Sequence, residues 1–440
     1  MPRSSPSSYH RPAPTLLSQE GSTAYFLERL EGKSLEDLRR IKDRMAIEVH
    51  ELLLSMDPKP KILLKNAVAA GSDADGLASN DGSSKYLMGG LVSYSGATSE
   101  ALPLPIFSFD LEDQRSFGGQ NFDFYKNMAG AEDYNVMAGA QGDVSGPRAG
   151  EIVVYAGDAN NTLFEPLHLK VAESLNTSEH RQALQELTTI ATYDKLLTLL
   201  NRQEIRTRIW SALETPEVLQ DELLKQADEI YSQNQSVWKK LSPMLHDFLG
   251  GQRLSIGESF TSGILAKIIS ANEGAKGILD YCLNWYDPRL KQMVGLPPPH
   301  HEQEFIAEPE AVAFATLGLL NRAPKSTQMT LGTTGWANYW VPGQPDYFSV
   351  GVAEKSSTGP KVSTAYVKMT SSKDAPRARG RRQLTRHLGA TVAIYMLVNA
   401  LSISHPNITP LEEIKVELIE LIHKYAEMEV KENVEVTPLH

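Results

Sequence analysis

The amino-acid sequence predicts an α/β protein built from two tandem halves of the same fold, each a three-layer α/β/α domain. Segments with apolar residues at helical spacing alternate with short β-forming runs, as in layered α/β proteins. The order of these segments in the first half returns in the second. When Ile62 is set against Leu254, the alignment continues without a gap to Tyr94 and Tyr286, at a constant offset of 192 positions. Such self-similarity predicts a duplicated domain.

The first half begins with a long amphipathic helix. Apolar residues recur at helical spacing over 34–56, and Ser34 followed by Asp37 is close to a capping box. A short apolar run at 62–64 comes next, then a loop of small residues that reaches Gly82. A β-forming stretch is predicted at 86–95, a strand pair at 151–157 and 167–173, and a closing helix at 178–200.

The second half repeats this order and is followed by an extension. Helices and strands are predicted to alternate from position 220 to a buried closing helix at 381–401. In the extension, a helical stripe that must bury against this chain or another consists of Leu411, Ile414, Leu418 and Leu421. The predicted organisation is a flexible Ser/Pro-rich arm, a first domain, a second domain and a C-terminal helical extension, at 1–24, 25–205, 206–404 and 405–440.

Composition excludes several classes of protein. The net charge of −11 argues against a nucleic-acid partner, because binding phosphates requires a concentration of Lys and Arg. The single cysteine, Cys282, rules out an intrachain disulfide. The N-terminus has no apolar core of a secretory signal, and the longest apolar run is short of the ~20 residues that span a bilayer. We therefore expect a cytoplasmic protein with no membrane partner, no metal and no cofactor.

Several motifs resemble the CinA C-terminal domain, the nicotinamide mononucleotide amidohydrolase family. The second half contains three segments that are similar to the family's AESCTGG loop, GGVVAYSNEAK segment and TGIAGP turn, in the same order. The first half is similar to other parts of the same pattern. The matching segments are GESFTSGILAKII, NWYDPRLKQMVGLP and LGTTGW in the second half, with GSSKYLMGGLVSYSGATSE and AGAQGDVSGPRAGEIVVYAG in the first. Together the resemblance covers about 34–200 and 220–401.

The resemblance implies a metal-free amide hydrolysis that the first half cannot complete. Cleaving an unactivated amide needs a nucleophile, a base and donors for the oxyanion. The family pattern implies a Ser nucleophile, a Tyr ten residues later and a Lys five beyond that. The first half matches with Ser84 and Tyr94, but Ser99 stands in the Lys position. Its counterpart of the AESCTGG loop, 66–71, has lost the acid and the hydroxyls.

The second half has the opposite defect. Tyr286 and Lys291 match the pattern, whereas Lys276 stands in the position of the nucleophile. Much of the ligand-binding loop is kept, in Glu258, Ser259, Thr261 and Gly263. Neither half is therefore complete, although Ser84 and Tyr94 of one half would complement Lys291 of the other if the two sites faced each other.

Structural interpretations compete with these functional ones. Tyr94 and Tyr286 can be half-buried aromatics whose hydroxyls bind a loop. Cys282 can be a small buried side chain, or, if exposed, a link between two chains. The arginines of 376–386 can form a solvated basic face, or an anion site at a helix N-terminus.

Three functions remain open on this basis. The first is a non-catalytic, oligomer-forming structural or assembly protein whose partner is a further copy of itself. The second is an enzyme that still deamidates nicotinamide mononucleotide or a similar nucleotide. The third is a module that binds such a nucleotide in the second half's loop, 258–263, without turning it over.

Overall fold

The structure is a computed structural model that describes residues 30, 33–66, 68–93, 136–142, 151–158, 167–170, 178–200, 222–286, 309–335, 346–370 and 379–436. The predicted N-terminal arm, 1–24, lies outside these residues. The described elements of the first half are α1 (Leu35–Ser55), β1 (Ile62–Asn66), α2 (Ser72–Ala78), a 3-10 turn (Ser83–Lys85), β2 (Leu87–Ser93), β3 (Val136–Gly142), β4 (Glu151–Asp158), β5 (Leu167–Lys170) and α3 (Ser178–Leu199).

The second half follows the same order, with one further described helix between its second and third strands. Its described elements are α4 (Glu222–Phe248), β6 (Arg253–Glu258), α5 (Ile264–Ser270), α6 (Ala275–Ile278), β7 (Leu279–Asn284), α7 (Pro309–Arg322), β8 (Thr327–Gly335), β9 (Tyr347–Glu354), β10 (Lys361–Met369) and α8 (Arg379–Ser404), followed by α9 (Thr409–His423) and β11 (Ala426–Lys431).

The strands of the described residues form one continuous mixed sheet, in the order β11-β10-β9-β8-β6-β7-β2-β1-β3-β4-β5. In each half the first strand lies between the second and third and is parallel to both, and two antiparallel strands follow. The halves meet where β2 pairs antiparallel with β7, with Val92 opposite Cys282. The predicted α/β class is confirmed, and the two halves share one strand topology.

Helices cover both faces of the sheet in the second half. Because side chains alternate along a strand, Val350 and Val352 of β9 belong to the core beneath α8, whereas Ala353 packs with Ala313 of α7. Close packing of α7 needs a glycine: a β-carbon on Gly332 would lie 2.2 Å from the Thr316 hydroxyl. The predicted three layers are therefore present here.

Helix α8 is the central helix of the second half. It is long and apolar enough to cross a membrane by length and composition alone, but 83% of that apolar stretch is buried inside the fold. Its side chains pack against α4, α5 and the sheet. It is therefore a core helix of this fold.

The C-terminal extension contains both a helix and a strand. Leu411, Ile414 and Leu418 of α9 are buried in the core of this same chain, and Ile422 completes the stripe, while Leu421 is only partly buried. Beyond α9 the extension is not helical, because β11 adds to the sheet antiparallel to β10. The alternation of charged and apolar residues in AEMEVK is typical of a strand with one buried face. Our prediction of a helical extension overlooked this strand.

Candidate functional site

The two loops that resemble the ligand loop of the family face each other at the junction of the halves. Gly71 begins α2 and Gly263 begins α5, and both have a left-handed backbone, with φ of 87° and 98°. A β-carbon built on Gly71 would lie 2.7 Å from the Cα of Gly263. The residues before them, Ala70 and Ser262, also have positive φ. The loops therefore have the same local conformation and touch through their backbones.

Glu258, at the end of β6, caps helix α5. Its buried carboxylate accepts hydrogen bonds from the backbone N–H groups of Gly263 (2.9 Å), Leu265 (3.1 Å) and Ala266 (3.0 Å). Burial raises the pKa of Glu258, although these hydrogen bonds act in the opposite direction. The Cys282 thiol lies 3.2 Å from the same carboxylate and is itself buried. This carboxylate is thus engaged within the protein.

Several other polar groups of the 258–263 loop are also bound by the protein, and the whole loop is buried. The Thr261 hydroxyl lies 2.7 Å from the Thr333 hydroxyl. Ser259 donates its backbone N–H to the Thr333 carbonyl (3.1 Å). From α8, the Arg386 guanidinium donates to the carbonyls of Phe260 (2.8 Å) and Thr261 (2.9 Å). The loop is therefore held by hydrogen bonds with β8 and α8 of its own chain.

The indole of Trp285 fills the space beside the carboxyl end of β6. A β-carbon on Gly257 would lie 2.0 Å from this ring, and the Trp285 side chain is fully buried. Its indole N–H donates to the Thr333 carbonyl (3.4 Å). In open α/β sheets the crevice at the carboxyl ends of the strands is where ligands bind. Here that space beside Gly257 is occupied by protein.

The predicted catalytic residues are only partly placed by the structure. Ser84 is exposed on the 3-10 turn of the first half. Its neighbour Ser83 is buried, and the Ser83 hydroxyl lies 3.1 Å from the Tyr286 hydroxyl of the second half. Tyr94 and Lys291 lie outside the described residues. The two halves do meet at this point, but through Ser83 rather than Ser84.

The Tyr286 hydroxyl also accepts a hydrogen bond from the Arg382 guanidinium of α8. The same guanidinium donates through Nε to the Ala78 carbonyl of the first half (2.6 Å). The Lys276 side chain, in the position of the nucleophile in the second half, is exposed on α6. Tyr286 is thus part of a bridge between the halves.

A cluster of buried charges lies between the helices of the two halves. We call Lys42, Asp75, Glu186, Lys267 and Arg386 the junction cluster. The Lys267 ammonium lies 2.7 Å from the Glu186 carboxylate and 3.9 Å from that of Asp75. Arg386 pairs with Asp75 at 3.0 Å, and Lys42 with Glu186 at 3.5 Å. Each of these five side chains is at most 6% exposed.

These charges shift one another's pKa values. Although burial acts in the opposite direction, Lys267 and Lys42 lower the pKa of Glu186 to about 2. Burial alone would raise the pKa of Asp75, but Arg386 and the two lysines lower it below its ordinary value. The cluster therefore stays ionised, and each charge depends on partners from another helix.

The solvated basic face considered for the arginines of α8 is wrong. Arg381 is buried and pairs with Asp346 at 2.7 Å, and Arg382 and Arg386 are buried as well. Arg377 lies outside the described residues. Arg382 and Arg386 donate to carbonyls and hydroxyls of the first half, among them the Ser79 hydroxyl, 2.8 Å from Arg386. These two arginines are structural groups of the junction, whereas Arg381 pairs within the second half.

Comparison with known proteins finds similarity to solved structures. No protein-family model matches the chain, and no curated protein matches it. The chain is similar to the competence/damage inducible protein CihA from Agrobacterium tumefaciens, with 20% identity, a TM-score of 0.28, and coverage of 38% of this chain and 95% of that one. A competence or damage-inducible protein from Enterobacter asburiae is 18% identical, with a TM-score of 0.28 and coverage of 38% of this chain and 98% of that one. A competence-damaged protein (CinA) superfamily protein from Escherichia coli is 16% identical, with a TM-score of 0.27 and coverage of 37% of this chain and 90% of that one.

Among the described residues, no three side chains of His, Cys, Asp or Glu are grouped as they would be to hold a metal ion. Asp73 and Asp75, which lie in an acidic stretch of sequence, are buried in α2. Cys282 is fully buried within β7, which agrees with the interpretation of a small core side chain.

Proposed function

We propose that this chain is a non-catalytic, oligomer-forming structural or assembly protein that arose by tandem duplication of an amidohydrolase-like domain. Duplication is supported by the shared strand order of the halves and by residues that lie 192 positions apart and have the same backbone conformation. These pairs are Ala70 with Ser262, Gly71 with Gly263 and Gly82 with Gly274. In this proposal the domains are 25–205 and 206–404.

The non-catalytic part of the proposal rests on one observation: the 258–263 loop is buried and its polar groups are hydrogen-bonded to other groups of the same chain. Glu258 is saturated by three N–H groups of α5, and Arg386 takes two carbonyls of the loop. A nucleotide that entered this loop would have to break buried hydrogen bonds. Each buried donor or acceptor left without a partner costs about 1–3 kcal/mol. The loop thus contributes to packing between the halves.

The position of the hydroxyl groups supports the same view. Amide hydrolysis with a serine nucleophile needs that serine within reach of a base and of oxyanion donors. Ser84 lies at the surface, while the Tyr286 hydroxyl is held by Ser83 and Arg382. Tyr286 thereby serves to join the halves, a role that the hydroxyl of a half-buried tyrosine commonly has.

Self-association is the functional part of the proposal. A fold whose former sites are converted into an internal junction retains its outer surfaces for contacts with further copies. We place such an assembly in the cytoplasm, with neither nucleic acid nor membrane as partner, consistent with the net charge of −11.

Two measurements test the proposal. Light scattering of the purified full-length chain is expected to give a mass above that of one 48.6 kDa chain, and a monomer at all concentrations would overturn the assembly role. Incubation with nicotinamide mononucleotide is expected to release no ammonia above the rate without protein. Ammonia release that is abolished by Ser84→Ala or Lys291→Ala would instead establish the amidohydrolase.

Nucleotide binding without turnover is tested separately. Calorimetry with nicotinamide mononucleotide is expected to give no heat of binding. Binding that is lost in Thr261→Val would show that the loop still holds a ligand.

A further inference from the structure

The outer edge of β11 offers backbone hydrogen-bonding groups to a further strand. Thr370 donates its N–H to the Tyr425 carbonyl (2.9 Å), which makes Tyr425 a hydrogen-bonded partner of β10. Because bonding directions alternate along an antiparallel strand, the N–H and C=O groups of Ala426, Met428 and Val430 point away from β10. Within the described residues, no strand pairs with that edge.

The chain beyond β11 leaves this edge. Asn433 has a positive φ of 51°, and Val434 then donates its N–H to the Val362 carbonyl of β10 (2.8 Å). Val434 and Val436 pack against the small core cluster that contains Val362 and Ala353, beneath α7. The described tail therefore packs against one face of the sheet and leaves the backbone of β11 uncovered.

The side chains of β11 are divided between two faces. Met428 and Val430 are partly buried against the core below α9, whereas Glu427, Glu429 and Lys431 are exposed on the other face. Lysine on an edge strand usually opposes pairing with another chain. The Lys431 ammonium lies 3.9 Å from the Glu429 carboxylate of its own strand, and a partner strand that places a second carboxylate opposite the lysine would offset this effect further.

We propose that β11 pairs antiparallel with β11 of a second copy, with Val430 opposite Val430 on a twofold axis. This register sets Glu429 opposite Lys431 twice, once on each side of the axis. Both contacts fall on non-hydrogen-bonded pairs, in which facing side chains are closest. The two copies would share one continuous sheet.

Neighbouring registers are less favourable. A shift by two residues in one direction forms two Glu427–Lys431 pairs but sets Glu429 opposite itself, and a further shift sets Glu427 opposite Glu429. Like charges directly opposite one another destabilise a strand pair. A shift by one residue would turn the buried face of one copy to the exposed face of the other. Charge and burial together select the Val430-centred pairing.

This inference rests on the proposed self-association, and cysteine pairing tests its register. Glu429→Cys and Lys431→Cys variants are purified separately, mixed, incubated to exchange subunits and oxidised. We expect a disulfide-linked dimer in the mixture and little in either variant alone. The single native cysteine, Cys282, is buried and does not compete. The matched control mixes Glu427→Cys with Lys431→Cys, which face each other only in the shifted register.

Charge reversal tests the energetics. Lys431→Glu is expected to weaken association by about tenfold, because two attractive pairs become repulsive, and the double variant Glu429→Lys/Lys431→Glu is expected to restore it. Both side chains are exposed, so each variant should keep the wild-type melting temperature.

The outcomes separate the two proposals. A wild-type chain that stays monomeric overturns both. An oligomer that shows no Glu429/Lys431 cross-link, or whose stability ignores the charge reversal, overturns the β11 interface and leaves the proposed function standing. A cross-link in the control mixture alone overturns the register.

Discussion

The backbones of Gly71 and Gly263 are in direct contact: a β-carbon built on Gly263 would lie 2.4 Å from the Gly71 carbonyl oxygen. These glycines hold equivalent places in the two halves, 192 positions apart. Each begins a short helix whose next turn carries a buried charge, Asp75 in one half and Lys267 in the other, and these equivalent positions pair at 3.9 Å. The junction is therefore symmetric in backbone and complementary in charge.

Substitution of either glycine is expected to destabilise the fold strongly. Gly263→Ala adds a β-carbon at a left-handed φ of 98° and drives it into the Gly71 backbone. The conformational term costs about 1–2 kcal/mol, and overpacking against a backbone costs about 1–3 kcal/mol more. Chemical denaturation should show a loss of about 3 kcal/mol in the free energy of unfolding.

Gly274→Ala is the matched control for this prediction. Its φ of +83° is equally left-handed, but no atom lies within 4 Å of the added β-carbon. Only the conformational term, about 1 kcal/mol, should remain. Equal losses in Gly263→Ala and Gly274→Ala would contradict the close contact of the two halves.

Glu186→Gln is expected to cost about 3 kcal/mol of unfolding free energy. The substitution leaves the ammonium groups of Lys267 and Lys42 buried without their common carboxylate. The control is Arg40→Gln, which breaks an exposed pair with Glu36 and should change the free energy by less than about 0.5 kcal/mol. A small effect at Glu186 would mean that the junction cluster does not hold the halves together.

Acidification is expected to destabilise the protein, in part through His387. Burial lowers the pKa of this imidazole to about 3, with Arg386 and two lysines acting in the same direction and Asp75 against them. As pH falls below the ordinary value of about 6.5, the unfolded chain binds a proton that the folded protein does not. The free energy of unfolding is therefore highest above pH ~6.5 and decreases as pH falls toward 3.

His387→Phe tests this directly. A phenyl ring should keep the edge-on packing against Tyr231, whose ring centre is 5.4 Å from that of His387. Between pH ~7 and ~5 the variant should lose less stability than the wild type, because few carboxylates titrate in that range. His50, with a pKa lowered to about 4 mainly by burial, leaves a residual slope in both proteins. Parallel pH profiles would show that His387 is not the titrating group.

Local features of the fold could be predicted from the sequence, because their signals lie within a few residues. Ser34 and Asp37 do form the capping box of α1, and the equivalence of Gly71 with Gly263 follows from a constant spacing. The continuous sheet could not be predicted, since the β2–β7 pairing depends on residues such as Val92 and Cys282 that lie far apart in the chain.

The same reason explains what the sequence could not show at the candidate site. Arg386 binds Ser79, 307 positions away, so its burial has no local signal. The family pattern pointed to Ser84, whereas Ser83 meets Tyr286 because one residue along a 3-10 turn changes the direction of the side chain. Hydroxyl spacing alone cannot distinguish these two serines.

Glu258 provides the last prediction, since it separates a structural role from a ligand-binding one. Glu258→Gln keeps one oxygen but loses the charge that accepts three N–H groups of α5, and its amide introduces buried donors without acceptors. We expect a loss of about 2–3 kcal/mol in the free energy of unfolding, with no change in nucleotide affinity. Ser34→Ala, which removes the exposed cap of α1, is the control and should cost about 1 kcal/mol. If Glu258→Gln left stability intact but altered binding of nicotinamide mononucleotide, the loop would be a ligand site and the packing role assigned to it would be wrong.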